Sequence, residues 1–402
     1  GNYFDHQMDS LKAQASAAAE LGIERFVLDD GWFGKRDNDT TSLGDWDIDA
    51  RKYPDGLKPL VDHVTGLGMQ FGIWFEPEMV NPVSELYKAH PDWALTIEGR
   101  PILESRTQLV LDLTRPEVSD YLFGKIDAVL SNHTISYIKW DMNRDLTHPV
   151  SGGQAAVHRQ TRAVYDLIDG LRAKHPHVEI ESCASGGGRA DFEILRRTDR
   201  IWTSDCNDPV ERQAIQRSFS LFFPPETMGA HVGPRASHTT ARDTGIGFRA
   251  WTAFFGHFGI EADLRAMTAR ERELLAQVIS LHKQHRALLH AGRTLRLSHP
   301  DAGMTAMMVV GEAGALVSAA QVGTPETATL GPLRLAGLDP TATYRVTLLN
   351  PPSHPQRTMK STPSTLTGLG FEASGIALIH QGLPLPVLRA QEIAVYHLEC
   401  LT

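Results

Sequence analysis

The sequence predicts an α/β fold: a (β/α)8 (TIM) barrel, incomplete at its N-terminus, over residues 1–290, followed by a small antiparallel β-sandwich domain over 291–402. Three observations predict it. Up to about residue 290, short apolar β-rich runs alternate with longer helical patterns, which argues for βαβ units on a parallel sheet. Several of these runs end directly in charged or reactive residues: Asp29-Asp30, Glu76, Asp141, Glu181-Ser182-Cys183 and Asp205. A barrel gathers the C-terminal ends of its strands on one face, whereas an open doubly wound sheet places ligands mainly at one switch point. Finally, beyond about residue 295 the helical texture gives way to β-rich runs separated by Gly, Pro, Asn and Asp.

The elements follow in order. Met8, Leu11, Ala15 and Ala18 recur at helical spacing, with Gly22 as the stop, and Phe26-Val27-Leu28 reads as a buried strand. Further strands are expected at Met69 to Phe75, Tyr137 to Trp140, Val178 to Ile180, Ile201 to Thr203, Met228 to Val232 and Ala253 to Ile260. Leu109 to Leu113 is too short to count as an eighth. A long helix is expected from Thr268 to about Leu295. Antiparallel strands follow at Thr305 to Val310, Ala315 to Ala320, Tyr344 to Leu349 and Ile393 to Leu398.

Composition narrows the function. The 402 residues, 42% hydrophobic and 22% charged, supply a large core and suggest two or three domains. A net charge of −9 disfavours nucleic acid and anionic membranes and suits a small or neutral substrate. Three cysteines are too few for a disulfide scaffold and point to a reducing, cytoplasmic setting. No apolar run approaches the roughly 18 residues of a membrane span.

Several strand ends carry chemistry. In Lys139-Trp140-Asp141-Met142-Asn143-Arg144, Lys139 faces the same side as Asp141 and would favour its ionised form. An ionised aspartate is a competent nucleophile, although a Lys–Asp ion pair closing a strand is the plain alternative. Asp205 ends another strand, and Asp208 competes with it for an acid role. Strand-end position favours Asp205, since Asp208 precedes Pro209 and reads as a helix N-cap. Asp29 and Asp30 could accept from vicinal sugar hydroxyls, with Trp74 or Trp32 against the apolar sugar face; a turn or metal site is the alternative. The three glycines after Glu181-Ser182-Cys183 would let a backbone approach a ligand closely. They lack the ending of a nucleotide loop. The histidines do not cluster as ligands, so no metal site is expected.

These blocks together resemble glycoside hydrolase family 36, the bacterial-type α-galactosidases. The resemblance rests on Phe26-Val27-Leu28-Asp29-Asp30-Gly31-Trp32-Phe33-Gly34, Gly72-Ile73-Trp74-Phe75-Glu76-Pro77-Glu78-Met79, Lys139 to Arg144, Glu181-Ser182-Cys183 and Trp202-Thr203-Ser204-Asp205. It runs to about residue 265 and continues more weakly beyond. It implies a retaining double displacement on terminal α-linked galactose of melibiose- or raffinose-type oligosaccharides, without a cofactor. Asp141 would be the nucleophile and Asp205 the general acid/base, while Asp29, Asp30, Trp74, Arg106, Lys139, Asn143 and Cys183 would contact the galactose.

The chain departs from the family in two ways. Cys206 follows the expected acid/base where relatives more often carry a polar or acidic residue. Relatives also have a large β domain before the barrel, and a first barrel strand ending near an Asn-Trp pair, that this sequence does not show. The expectation is therefore a truncated protein with an open barrel, prone to self-association, whose full-length form is a homo-oligomer. Galactosyl transfer of the raffinose-synthase type and sugar binding without turnover remain the rival readings.

Overall fold

The computed structural model of the chain describes residues 3–327, 329–350 and 370–401. The chain up to Ser204, with Asp263–Met267, forms one compact unit; Asp205–Ala262 and the chain from Thr268 onward form another. This division falls inside the expected 1–290 segment.

The first unit alternates helix and strand: α1 (Met8–Glu20), β1 (Arg25–Leu28), α2 (Lys58–Gly66), β2 (Gln70–Phe75), α3 (Pro116–Asn132), β3 (Tyr137–Trp140), α4 (Val157–Lys174), β4 (Glu179–Ser182), α5 (Phe192–Leu195) and β5 (Arg200–Trp202). The five strands pair in parallel and in chain order. Each strand is therefore joined to the next by a helical crossover, as parallel pairing demands. Helix α1 buries Leu11, Ala15 and Ala18. It stops where Gly22 takes φ +85°: Gly22 N–H donates to Ala19 O and Ile23 N–H to Ala18 O, closing a Schellman motif.

Register sets the site. Phe75 pairs with Trp140, and Trp140 with Ser182. The next residues along the chain, Glu76, Asp141 and Cys183, therefore leave three adjoining strands at one level. Leu28 pairs with Ile73, which brings Asp29 to the level of Trp74.

The second unit opens with α6 (Pro209–Phe219), β6 (Met228–Val232), α7 (Ile246–Ala253), β7 (His257–Ile260) and α8 (Ala269–Ala291); β6 and β7 pair in parallel. Six antiparallel strands follow: β8 (Arg293–Leu297), β9 (Met304–Gly311), β10 (Gly314–Gln321), β11 (Thr343–Leu348), β12 (Phe371–Ser374) and β13 (Glu392–Cys400). They form one sheet in the order β8-β9-β10-β13-β11-β12. Where a two-sheet sandwich was expected, the described residues cover this sheet with Leu333, Leu335, Leu338, Leu383, Leu385 and the short helix α9 (Gly375–His380), which buries Leu378.

Other expectations need correction. The run expected as a strand from Ala253 is the end of α7 and a turn; only His257–Ile260 is strand. An apolar run without period does not distinguish the two, and Gly256 breaks it where a Cβ would meet Met228 O at 2.7 Å. The long helix begins beside the Thr268–Glu271 capping box but ends at Ala291, and Leu295 lies in β8. β4 and β5 are shifted by a residue or two from the expected spans. Leu109–Val110 pairs antiparallel with Met79–Val80, outside the parallel sheet.

Helix α8 meets the antiparallel sheet through His285 and His397, whose ring centroids lie 4.5 Å apart. Burial, reinforced by His397, pushes His285 down to about 4 from an ordinary 6.5, and burial also lowers His397. The unfolded chain thus takes up a proton on His285 before the folded one does. Stability is expected to hold above pH 6.5 and to fall between 6.5 and about 4, by about 3 kcal/mol if the full gap is expressed. Urea midpoints across that range check this; His285→Phe should flatten the slope.

Candidate active site

Asp141 is buried beyond the end of β3, its N–H donating to Phe75 O at 2.7 Å. Three donors fix its carboxylate. Trp74 Nε1 donates to Oδ2 at 3.2 Å, Asn143 Nδ2 donates to Oδ2 at 2.8 Å, and Met142 N–H donates to Oδ1 at 2.8 Å. Ser185 Oγ in turn donates to Asn143 Oδ1 at 3.3 Å.

Lys139 pairs with Asp29 rather than closing directly on Asp141: its Nζ lies 3.0 Å from Asp29 Oδ2. It also lies 6.0 Å from the Trp202 ring centroid, within cation–π range. Burial opposes the ammonium charge, but Asp29, then Cys183, Asp141 and Glu181, outweigh it and hold Lys139 well above the usual lysine range. Burial likewise acts to raise Asp29, and Lys139 outweighs it, leaving that carboxyl below its usual range.

Asp30 takes a different partner. Arg36, almost fully buried, donates Nε to Oδ1 at 2.8 Å and a terminal nitrogen to Oδ2 at 2.7 Å. Burial pushes Asp30 up, Arg36 opposes this, and Asp29 and Asp141 add to the upward shift. Arg36 also donates to Asn81 Oδ1 at 3.2 Å, and Asn81 Nδ2 donates to Thr107 O at 2.8 Å.

That last bond reaches an unusual turn. Arg106 and Thr107 are consecutive non-glycine residues in the left-handed region, with φ +52° and +56°. Such backbone persists only where its surroundings hold it. Asn81 does so from one side. Arg144, also buried, donates to Leu103 O at 3.0 Å and to Gln108 O from the other. The Arg106 side chain is exposed and makes no hydrogen bond or ion pair among the described residues.

Cys183 is buried, with its N–H donating to Trp140 O at 2.7 Å. Of the glycines after it, Gly187 packs the β4 loop on the end of β5: a Cβ there would lie 2.8 Å from Thr203 O, and Gly187 N–H donates to that oxygen at 3.1 Å.

Asp205 is exposed just past β5. Asp208 is fully buried and committed: it caps α6 by accepting from Val210 N–H at 2.9 Å, accepts from Thr240 Oγ1 at 2.6 Å and pairs with Arg242 at 2.7 Å. Trp32, offered as a sugar platform, is instead fully buried among Phe33, Trp46 and Phe75, its Nε1 donating to Trp74 O at 2.9 Å.

The first unit thus brings Asp29, Asp30, Trp74, Lys139, Asp141, Asn143 and Cys183 to the ends of β1 to β4. Sequence reasoning missed Arg36, Asn81, Gln108 and Arg144. Each lies in a loop without period, so no pattern marked it. Among the described residues no group of three or more His, Cys, Asp or Glu is placed to hold a metal ion, and no helix is long and apolar enough to cross a membrane.

The Melibiase family model matches residues 1–292, and the model of the glycosyl hydrolase family 36 C-terminal domain matches residues 304–398. An α-galactosidase of Escherichia coli is 45% identical over 409 residues, covering 99% of this chain and 57% of that protein. The α-galactosidase AgaA of Geobacillus stearothermophilus is 42% identical over 353 residues, covering 86% and 48%. The crystal structure of an AgaA variant in complex with raffinose superposes with a TM-score of 0.91 at 38% identity, covering 99% of this chain and 54% of that one. The chain spans about half the length of these relatives. With five strand-end motifs in order and both family models matched, the chain belongs to the melibiases, glycoside hydrolase family 36.

Proposed function

We propose that the chain carries the catalytic centre of a retaining α-galactosidase acting on raffinose- and melibiose-type oligosaccharides. One observation carries the reading: a carboxylate at a strand end, Asp141, held by an indole, an amide and a backbone N–H. That is a fixed, ionised oxygen nucleophile rather than a surface ion pair, because Lys139 is engaged with Asp29 instead. Asp205 is the general acid/base; its exposure at a strand end and the full commitment of Asp208 support it. Asp29, Asp30, Trp74, Arg106, Lys139, Asn143 and Cys183 bind the galactosyl unit.

In this reading Asp205 protonates the glycosidic oxygen while Asp141 attacks the anomeric carbon, forming a galactosyl ester and releasing the aglycone. Water, deprotonated by Asp205, then cleaves the ester, so that the configuration is retained. No metal or organic cofactor takes part. The α-galactosidase names of the relatives and the raffinose complex of one of them support the substrate class.

We take residues 1–290 as the catalytic domain and 291–402 as the C-terminal domain, supported by the separate family matches. The protein acts in the cytoplasm as a homo-oligomer; ultracentrifugation tests the assembly.

The test of function is the first-formed product. NMR during raffinose hydrolysis is expected to show α-galactose before mutarotation; β-galactose appearing first would rule out retention. Sites that hydrogen-bond a hydroxyl reject substrates that cannot satisfy it, so α-galactosides should exceed matched α-glucosides by on the order of 100-fold or more in kcat/KM. Equal rates would overturn the specificity. An excess of sucrose as acceptor separates hydrolysis from galactosyl transfer.

A further inference from the structure

Glu76 follows the last residue of β2 and is almost fully buried. Its two hydrogen-bond partners are uncharged. Asn143 N–H donates to Oε1 at 2.6 Å, and Gln108 Nε2 donates to Oε2 at 3.3 Å. Among the described residues no cation pairs with it, in contrast to Asp29 with Lys139 and Asp30 with Arg36.

Asn143 faces two ways. Its backbone is held by Glu76, and its side chain holds Asp141. Gln108 lies one residue beyond the left-handed Arg106-Thr107 turn, and its carbonyl accepts from Arg144. Glu76 thus ties the support of Asp141 to the segment carrying Arg106.

We propose that Glu76 is a positioning residue for Asp141: a buried, uncharged carboxylic acid that clamps the Asn143 backbone and the Gln108 side chain so that the Asn143 amide stays aimed at Asp141. The inference rests on reading Asp141 as the nucleophile.

Three observations agree on the uncharged form. Two buried carboxyls in one pocket do not both ionise readily, and Asp141 has the three N–H donors. Gln108 Oε1 is buried and accepts no hydrogen bond; with the Gln108 amide turned over, that oxygen takes the place of Nε2 beside Glu76 Oε2 and accepts the proton of a neutral Glu76. Burial, then Asp141, pushes Glu76 up to about 8, with Asn143 and Arg36 opposing. The charged groups bearing on it are thus Asp141 and Arg36, with Arg144 engaging the same Gln108. A neutral Glu76 leaves Asp141 as the carboxylate that the indole and amide donors serve; an ionised one would repel the charge of Asp141.

The test compares Glu76→Gln with Glu76→Ala. Glutamine copies the protonated acid, accepting from Asn143 N–H and donating toward Gln108. Glu76→Gln should therefore keep kcat within about threefold of wild type at neutral pH. Glu76→Ala strands a buried N–H and frees Asn143, and kcat should fall by roughly 10- to 100-fold. The alkaline limb of the wild-type kcat profile should combine the ionisation of Glu76 with that of the acid Asp205, and Glu76→Gln should move that limb by removing the first of the two. A glutamine variant as impaired as the alanine one, or one whose alkaline limb coincides with that of wild type, overturns the proposal.

Difference infrared spectra provide a readout independent of turnover. Wild type at neutral pH should show a protonated-carboxyl C=O band that Glu76→Gln lacks; no such band also overturns the proposal. If wild type shows the band yet hydrolyses no α-galactoside, it is the functional reading that fails.

Discussion

Asp141→Ala is expected to lower kcat on raffinose by on the order of 10,000-fold or more, since no nearby group substitutes for a lost covalent nucleophile. Asn143 and Trp74 donate to the lost carboxylate, and in the variant both are left facing a cavity. Neither supplies an attacking oxygen. Added azide should not restore galactose release, because azide attacking the anomeric carbon in place of Asp141 yields β-galactosyl azide rather than galactose. Folding should be nearly intact, because the Asp141 N–H to Phe75 O bond is backbone only. Raffinose turnover with circular dichroism checks both parts. A variant that folds and retains a tenth of wild-type activity would falsify the nucleophile assignment.

Asp205→Ala should show a different pattern, set by the leaving group. Melibiose and raffinose release poor leaving groups that need a proton, so kcat/KM should fall by roughly 1,000-fold; dinitrophenyl α-galactoside needs little protonation and should lose about tenfold or less. Azide should accelerate the second step with the aryl substrate, because it attacks the galactosyl ester without a base and yields α-galactosyl azide. Asp208→Ala gives the contrast. Asp208 caps α6 and holds Thr240 and Arg242, so its loss should lower melting temperature and affect both substrates alike. If aryl and alkyl galactosides lose equally on Asp205→Ala, the acid role passes from Asp205.

The architecture was legible where a pattern has a period or a sharp stop. The five strands from Phe26 to Trp202 were found within a residue or two, because parallel strands are apolar runs closed by polar residues. The carboxylates at their ends were legible for the same reason, since a charge directly after a buried run has to be accommodated. The pairing of those charges was not. Lys139 was read as the neighbour of Asp141, yet it reaches across to Asp29, because register rather than sequence distance sets which strand ends adjoin. Arg36 and Asn81 were silent, since a loop residue declares its partner only once the chain has folded back. Ala253 to Ile260 held only from His257 for a third reason: an apolar run without a period fits helix or strand equally well. Glu76 was seen as a strand end, but the sequence could not say that its two hydrogen-bond partners would be uncharged.

The indole of Trp74 and the carboxylate of Asp141 share a hydrogen bond of 3.2 Å. In the proposed mechanism, esterification of Asp141 by a sugar removes the negative charge from that oxygen and weakens its hold on the indole N–H. The emission of Trp74 is therefore expected to report formation of the ester. Of the seven tryptophans, Trp140 also donates to a carboxylate, Glu78, but that group has no part in the proposed mechanism. Subtracting the spectrum of a Trp74→Phe variant isolates the signal. Stopped-flow fluorescence would then follow formation and decay of the galactosyl ester without a coloured substrate or an added label.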